Sequence, residues 1–316
     1  MIEMAQLTRR YGRFTAVDRL DLAIGPGEVV GLLGPNGAGK STVMKMLAGF
    51  LEPSEGMIRV AGLDIGRDRL AVQARIGYLP ENCPTWPEMT VADFLEFQAA
   101  MHGVAAAGRR RAVARAIRRT ALEAKAGAVI QTLSRGYRQR VGVAQAILHE
   151  PAIVILDEPT NGLDPAQIQQ MRGLVAELAA SATVIVSTHI LQEVEASCER
   201  VVILRQGRKV VDARLAELQR GRRLLVSVGG DAERSRSALA AAPGVHAVHD
   251  EGEAGGCRRW ALEAEPDAAP AVSAAVLASG LALHAIGFET RNLETLFAQV
   301  NRADEPARSE EVADAL

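Results

Sequence analysis

The chain has few aromatic residues, few cysteines and almost no net charge. Aromatic residues make up 3% of its 316 residues, so its cores must be packed mainly from aliphatic side chains. Cys83, Cys198 and Cys257 lie far apart and form no C-x-x-C spacing, which argues against a disulfide framework and against a zinc site and fits a reducing compartment. The net charge of -2 gives no overall electrostatic reason to expect nucleic acid as a partner.

The sequence also lacks a credible secretory or membrane-spanning segment. The first ten residues carry Glu3 and no apolar core, which is unlike a secretory signal. Residues 268–288 carry no charged residue and are long enough to span a bilayer, but they are rich in alanine and include Pro270 and Gly280, so their insertion free energy should be poor. We predict a buried helix followed by a strand there.

The length predicts two domains, because a single hydrophobic core stops growing near about 250 to 300 residues. We place the first domain at residues 1–218, with a helical subdomain at about 88–150, and an accessory domain at 222–300. The residues from 301 to 316 are acidic and contain a proline, which predicts a disordered tail.

Hydrophobic patterning outlines the first domain. Apolar and polar residues alternate from Ile2 to Leu7 and from Asp18 to Ile24, as in half-buried antiparallel strands. The apolar runs 153–156 and 183–187 alternate with helical segments, which predicts a mostly parallel sheet. Residues 90–120 are predicted to be helical with Thr90 as N-cap, and the basic run at 109–119 is interpreted as a solvated helix face rather than a nucleic-acid or lipid-headgroup patch.

A complete phosphate-binding loop follows the apolar run at residues 29–33. Its residues are Gly34, Pro35, Asn36, Gly37, Ala38, Gly39, Lys40, Ser41 and Thr42. The glycines allow successive backbone N–H groups to turn toward a polyphosphate at a helix N-terminus. Lys40 is predicted to reach the β and γ phosphates, and Ser41 to ligate Mg²⁺. The sequence therefore predicts a nucleoside triphosphate site, although the loop alone does not distinguish kinases, GTPases and transport ATPases.

Two adjacent carboxylates end the apolar strand that begins at Ile153. They are Asp157 and Glu158, and in open α/β sheets ligands bind at the carboxyl ends of strands. Asp157 is predicted to hold Mg²⁺, directly or through water, and Glu158 to orient and deprotonate the attacking water.

In motif order, residues 2–218 resemble the ATP-binding subunits of ABC transporters. The resemblance implies the ABC ATPase type of P-loop NTPase, an α/β fold with an antiparallel N-terminal β subdomain and a helical subdomain. It also implies that Tyr11 stacks on adenine and that His189, after the strand at 183–187, is the switch histidine. The resemblance further implies that the signature segment, residues 133–137, supplies Ser134 and Gly136 to the γ-phosphate held by an opposite subunit, and that Asp164 ends the D-loop, residues 161–164.

The chain departs from the family pattern at two places. Arg135 and Tyr137 occupy the third and fifth positions of the signature, where the family usually has Gly and Gln. Glu81 stands where the family usually has a Gln that touches Mg²⁺ and the membrane partner. A carboxylate can ligate Mg²⁺, so Glu81 is predicted as a metal ligand, with an exposed loop residue as the alternative. The ATPases of ABC-2 type exporters tolerate both kinds of departure.

The accessory domain follows a β-α-β-β-α-β pattern, which predicts a small ferredoxin-like α+β domain with a closing helix at 292–300. Together with these features, the resemblance implies an ATPase that dimerises on ATP and Mg²⁺ and drives export through a separate ABC-2 type permease from the cytoplasmic face of the cell membrane. The alternative is a soluble ABC ATPase that acts on ribosomes or DNA, but the chain lacks the second nucleotide domain or the coiled coils of such proteins.

Overall fold

The computed structural model describes residues 1–219, 223–289, 293, 294, 296 and 297. The chain divides into two compact units, Met1–Leu215 and Ala216–Leu316. Apart from residues 293, 294, 296 and 297, the predicted closing helix at 292–300 and the predicted tail at 301–316 lie outside the described residues.

The first unit combines two sheets with helices. Its strands are β1 (Ile2–Tyr11), β2 (Phe14–Ile24), β3 (Val29–Leu33), β4 (Glu55–Val60), β5 (Leu63–Asp64), β6 (Ile76–Leu79), β7 (Ile153–Asp157), β8 (Thr183–Thr188), β9 (Arg200–Arg205) and β10 (Arg208–Arg214). Its helices are α1 (Lys40–Leu47), α2 (Arg69–Gln73), α3 (Val91–Met101), α4 (Ala106–Arg119), α5 (Arg135–Ile147), α6 (Pro165–Ala179) and α7 (Leu191–Ser197). A further short helix, α8 (Leu215–Gln219), spans the boundary between the units.

The antiparallel sheet has the strand order β2-β1-β4-β5. The alternating pattern of its first two strands correctly predicted half-buried antiparallel strands, and both strands are longer than predicted. They pair as far as Tyr11 and Phe14, which face each other across the hairpin turn. Gly12 in that turn has φ +58°, a conformation that glycine adopts at little cost.

The second sheet is six-stranded, with the order β10-β9-β3-β8-β7-β6. All its neighbouring strands are parallel except β10 and β9. Every residue of β3, β7 and β8 is buried, which explains why these strands read as continuous apolar runs. Ile153 and Ile155 belong to one core, and Val154 and Leu156 belong to the core on the opposite face of the sheet.

The segment predicted to be helical at 90–120 forms two helices, α3 and α4. Thr90 is the N-cap of α3, where its hydroxyl accepts a hydrogen bond from the backbone N–H of Asp93, as predicted. The chain then leaves the helix after Met101, because Gly103 adopts φ +76° and ends the turn. In α4 the buried side chains are Ala, Val and Ile, whereas Arg115 pairs with Glu150 at 3.0 Å at the surface.

The second unit is a four-stranded antiparallel sheet with two helices. Its elements are β11 (Arg223–Gly229), α9 (Ala232–Ala240), β12 (Val245–Ala254), β13 (Cys257–Ala264), α10 (Ala269–Ala278) and β14 (Ala282–Phe288). The strand order β12-β13-β11-β14 is the ferredoxin-like arrangement. The uncharged stretch at 268–288 forms α10 and β14, so the predicted helix and strand are present. The helix is not buried as predicted, because only Val272 and Val276 are buried and Leu277 is 61% exposed. In the described part of the chain, no helix is long and apolar enough to cross a membrane.

Candidate functional site

The parallel sheet brings three functional loops to one edge. Strands β3, β8 and β7 are neighbours in that order and run parallel, so their carboxyl ends lie side by side. The phosphate-binding loop follows β3, His189 follows β8, and Glu158 follows β7. Open α/β sheets bind ligands at this edge, so the topology gathers residues that lie up to about 150 positions apart in sequence.

The phosphate-binding loop has the backbone that its glycines predict. Gly37 and Gly39 have φ +81° and +103°, and Gly39 is the N-cap of α1. A Cβ atom on Gly39 would lie 2.6 Å from the backbone oxygen of Ala16, so a larger residue would not fit there. The free backbone N–H groups at the start of α1 therefore adjoin the pocket that this loop lines.

Lys40 is buried in the loop, with 6% of its surface exposed. Its Nζ donates hydrogen bonds to the backbone oxygens of Gly34 (2.7 Å) and Pro35 (3.3 Å) and lies 3.8 Å from Oε1 of Glu158. Burial lowers the pKa of Lys40, and the negative charges of Glu158 and Asp157 oppose that shift. The ammonium group is thus buried in a site with little water. A bound phosphate would replace the backbone oxygens that accept its hydrogen bonds.

Asp157 and Ser41 form a pair of oxygen donors beside the loop. The Ser41 hydroxyl donates to Oδ1 of Asp157 at 3.4 Å, and the Ser187 hydroxyl donates to the same oxygen. Mg²⁺ prefers oxygen ligands and usually takes only one or two from protein beside phosphate oxygens and water. These residues therefore fit a Mg²⁺ site that a nucleotide completes. In the described residues no cluster of three or more His, Cys, Asp or Glu forms a metal site by itself.

Glu158 is buried and has a left-handed backbone conformation, with φ +50°. Its N–H contacts the backbone oxygen and the hydroxyl of Ser187, at 3.1 and 3.2 Å, and these contacts hold the turn. Its Oε2 lies 2.9 Å from Nδ1 of His189. Burial raises the pKa of Glu158, whereas the nearby His189 and Lys40 oppose the shift. A carboxylate with a raised pKa is a stronger base, which suits a residue that takes a proton from water.

A pocket of about 390 Å³ connects these residues to the antiparallel sheet. It is lined by Tyr11, Phe14, Ala16, residues 36–42, Glu81 and Glu158. Tyr11 and Phe14 are 47% and 62% exposed, so both rings offer a free face to a purine. The position of Glu81 in this lining places it at the pocket, where it adds negative charge near Lys40.

Two residues of the site were missed from the sequence. Phe14 shares a hairpin with Tyr11, and an aromatic residue three positions later was the available signal. Ser187 contacts both Asp157 and Glu158, and it is the register partner of Asp157 in the β7–β8 pair. Only strand pairing reveals that contact, because a serine at the end of an apolar strand has no distinctive sequence pattern.

Ser134, Gly136 and Asp164 do not belong to the described lining of this pocket. Ser134 is the N-cap of α5, and its hydroxyl accepts from the N–H of Tyr137 at 3.4 Å. Asp164 caps α6 by accepting from the N–H of Gln167 at 2.9 Å, and the Gln167 side chain also packs against Gly136. Gln167 thus connects the start of α6 to the start of α5, and none of the three residues lines the pocket.

Arg135, one of the departures from the family pattern, lies against the D-loop. A Cβ atom on Gly162, which has φ +71°, would be 2.5 Å from the Arg135 guanidinium. The guanidinium therefore covers the glycine of the D-loop, and the signature segment and the D-loop of one chain are in direct contact.

Comparison with known proteins agrees with this geometry. The sequence pattern of the ABC transporter family matches residues 17–161. The Nod factor export ATP-binding protein I of Paraburkholderia xenovorans (strain LB400) is 38% identical over 216 residues, which are 67% of this chain and 70% of that protein. The bacitracin transport ATP-binding protein of Bacillus licheniformis is 34% identical over 210 residues, 66% of this chain and 68% of that protein.

Solved structures show the same fold. An ATP-binding subunit of an ABC transporter superposes with a TM-score of 0.63 and 31% identity, over 70% of this chain and 92% of that one. A dimeric ATP-binding cassette in a post-hydrolysis state, bound to ADP and Pi, has a TM-score of 0.63 and 25% identity, over 68% of this chain and 99% of that one.

Proposed function

The chain belongs to the ABC transporter family of ATP-binding subunits, and we propose that it hydrolyses ATP with Mg²⁺ to power export through a separate ABC-2 type permease. The observation that carries the ATPase assignment is the buried Glu158, held between Lys40 at 3.8 Å and His189 at 2.9 Å beside the phosphate-binding loop. A buried carboxylate in that position is suited to act as a general base, and it lies next to a phosphate-binding site.

Each residue of the pocket has a separate role in the proposed reaction. Tyr11 and Phe14 stack on adenine, while Lys40 exchanges the carbonyl oxygens of Gly34 and Pro35 for phosphate oxygens. Glu158 takes a proton from the attacking water, and His189 fixes the carboxylate that does so.

The metal and phosphate contacts follow from the same arrangement. Ser41 and Asp157 would hold Mg²⁺, with Glu81 at the pocket as a further candidate ligand, and the bound ion would neutralise charge on the phosphates.

We propose that two copies of the chain form the complete site. Ser134 is the N-cap of α5, where free backbone N–H groups and the exposed hydroxyl form an anion site, while Gly136 is buried beside the Gln167 side chain. These residues, with Asp164, lie outside the pocket of their own chain, which supports a role against the nucleotide of a second copy. The similarity to a dimeric cassette is in keeping with this arrangement.

The partner in export would be an integral-membrane permease, with the ATPase on the inner face of the cell membrane. The names of the relatives, which refer to Nod factor export and bacitracin transport, support this function over an action on ribosomes or DNA. Residues 1–218 would then form the ATP-binding domain and 222–300 the accessory domain. We place the docking surface for the permease at the segment 90–120 and the loop around Glu81.

The experiment measures phosphate release by the purified chain with ATP and Mg²⁺, alone and in vesicles with an ABC-2 type permease from the same organism. We expect turnover that requires Mg²⁺ and co-purification of the two proteins. Absence of turnover in both preparations would overturn the ATPase assignment. Turnover without any association with the permease would overturn the export assignment.

Glu81 gives a sharper test of the docking surface. Glu81→Gln should reduce transport by the reconstituted complex more than it reduces the basal ATPase rate of the isolated chain. Equal losses in the two assays would contradict docking at this loop.

A further inference from the structure

A buried carboxylate outside the pocket connects two loops of the site. Glu193 lies on α7 with 5% of its surface exposed, and it is not part of the described pocket lining. Isolated buried carboxylates are rare because the loss of hydration is costly. The contacts that hold the buried Glu193 carboxylate are explained by its position relative to Glu158 and His189.

Two hydroxyl groups donate to one oxygen of this carboxylate. The donors to Oε2 of Glu193 are the hydroxyls of Thr160 and, at 3.1 Å, Thr188. The Thr188 hydroxyl also accepts from the backbone N–H of Ile190 at 3.1 Å. One oxygen atom thus joins the loop after β7 to the loop after β8.

Both threonines are adjacent to residues of the proposed reaction. Thr160 follows Glu158 by two positions, and Thr188 directly precedes His189. The His189 side chain is 46% exposed and its Nδ1 contacts Glu158, so packing alone does little to orient the ring. Its orientation therefore depends on the backbone turn from Thr188 to Ile190, which the Thr188 hydroxyl closes.

The surroundings of Glu193 are mostly apolar, with one opposite charge. A small cavity between α6 and α7 is lined by Glu193 and by Met171, Val175 and Val194, together with Arg172. A charged group in such a place commonly costs stability relative to an apolar residue of similar size. A methionine or leucine at this position would pack at lower cost. The presence of a carboxylate is therefore consistent with a role in holding the two loops.

We propose that Glu193 is a positioning residue that holds Glu158 and His189 in their relative geometry through Thr160 and Thr188. The inference rests on the proposed ATPase function for its kinetic consequence, but its structural content, the relative positions of Glu158 and His189, does not depend on that function. Glu193 touches neither the nucleotide pocket nor the reacting atoms, so it should affect turnover and leave nucleotide affinity unchanged.

The test compares six single variants of the chain and one double variant with the wild type. Glu193→Ala removes the acceptor and should lower kcat about tenfold or more, because a displacement of about 1 Å can cost about 10²-fold in rate. The KM for ATP should change less than about twofold, since uniform binding is unaffected. Glu193→Gln keeps an oxygen acceptor for both hydroxyls and should restore kcat to within about twofold of the wild type.

Thr160→Val and Thr188→Val remove one donor each and should give intermediate kcat values. The matched control is Gln192→Ala, whose exposed side chain lies on the same helix and should leave all parameters unchanged. In the His189→Ala background, Glu193→Ala should lower kcat much less than in the wild type, because residues that act through one another are non-additive.

An activity-independent readout separates this inference from the ATPase assignment. The ring NMR signals of His189 should shift in Glu193→Ala and Thr188→Val and stay in place in Gln192→Ala. If the wild type shows no turnover, the ATPase assignment fails while these signals still test the geometry. The inference is overturned if the His189 signals stay unchanged in Glu193→Ala. It is equally overturned if kcat is unaffected, or if Glu193→Gln fails to rescue and ATP affinity falls in parallel.

Discussion

Replacing Glu158 with Gln should abolish turnover without weakening the fold or the binding of ATP. The substitution keeps the size and shape of the side chain and removes its charge. Gln tolerates the left-handed backbone of this position, φ +50°, about as well as Glu does, so the turn after β7 should persist. The change therefore isolates the proton-accepting function of the carboxylate.

Two electrostatic effects on Glu158 oppose each other: the attraction of nearby positive charges and the loss of hydration on burial. At 3.8 Å and an effective dielectric constant of 20, the attraction between the Glu158 and Lys40 charges is about 4 kcal/mol. The pKa of Glu158 is nevertheless raised, so the loss of hydration on burial outweighs this attraction and that of His189. A raised pKa in the folded state means that folding favours the neutral form. At neutral pH a neutral amide should thus be no less stable than the carboxylate.

The catalytic effect should be much larger. Loss of a positioned general base typically lowers the rate by about 10² to 10⁴, which corresponds to about 3 to 5 kcal/mol of transition-state stabilisation. We expect phosphate release to fall by at least about a hundredfold, with an unchanged dissociation constant for ATP. The unhydrolysed ATP should also hold two copies of the chain together, so the variant should elute as a dimer in the presence of ATP.

A matched control is available in the same unit. Glu150 also has a left-handed backbone, φ +53°, but its side chain is exposed and pairs with Arg115. Glu150→Gln makes the same chemical change away from the pocket and should leave turnover unaltered. A Glu158→Gln protein that still hydrolyses ATP at a comparable rate would refute the base assignment. A Glu158→Gln protein that remains a monomer with ATP would refute the proposed dimer.

Three further predictions follow from the pocket. Lys40→Ala should weaken ATP binding by about ten- to a hundredfold, the value of a charge-assisted hydrogen bond, and unchanged affinity in a calorimetric titration would count against its phosphate contact. His189→Ala removes the hydrogen bond and charge that lower the pKa of Glu158, so the acidic limb of the residual kcat–pH profile should move to higher pH; an unmoved limb would argue against their coupling. Tyr11→Ala or Phe14→Ala should weaken ATP binding about tenfold and leave inorganic tripolyphosphate binding unchanged, whereas parallel losses would show that the rings do not contact the base.

The local chemistry of the site was readable in the sequence because it depends on contiguous residues. The glycines of the phosphate-binding loop need the left-handed backbone that Gly37 and Gly39 adopt, and the lysine must follow at the start of a helix. The same holds for Thr90, whose capping hydroxyl bonds three residues onward. Such interactions span a few positions, so residue order is enough to predict them.

Relations between distant residues needed the tertiary structure. The break between α3 and α4 at Gly103 was missed because helical periodicity continues on both sides of it. Ser187 joins the site only because β7 and β8 pair in a register that sets it opposite Asp157. The link from Glu193 to Thr160 and Thr188 likewise depends on the packing of α7 beside two strands.

By itself, the sequence determined the nucleotide chemistry, the parallel sheet and the order of the ferredoxin-like elements, because apolar period and short motifs encode each of them locally. The tertiary structure alone decided which side chains meet. It set Glu158 between Lys40 and His189 and left Ser134, Gly136 and Asp164 outside the lining of the pocket. The physical reason is that strand order and register, which arise from long-range burial, convert separate loops into one site.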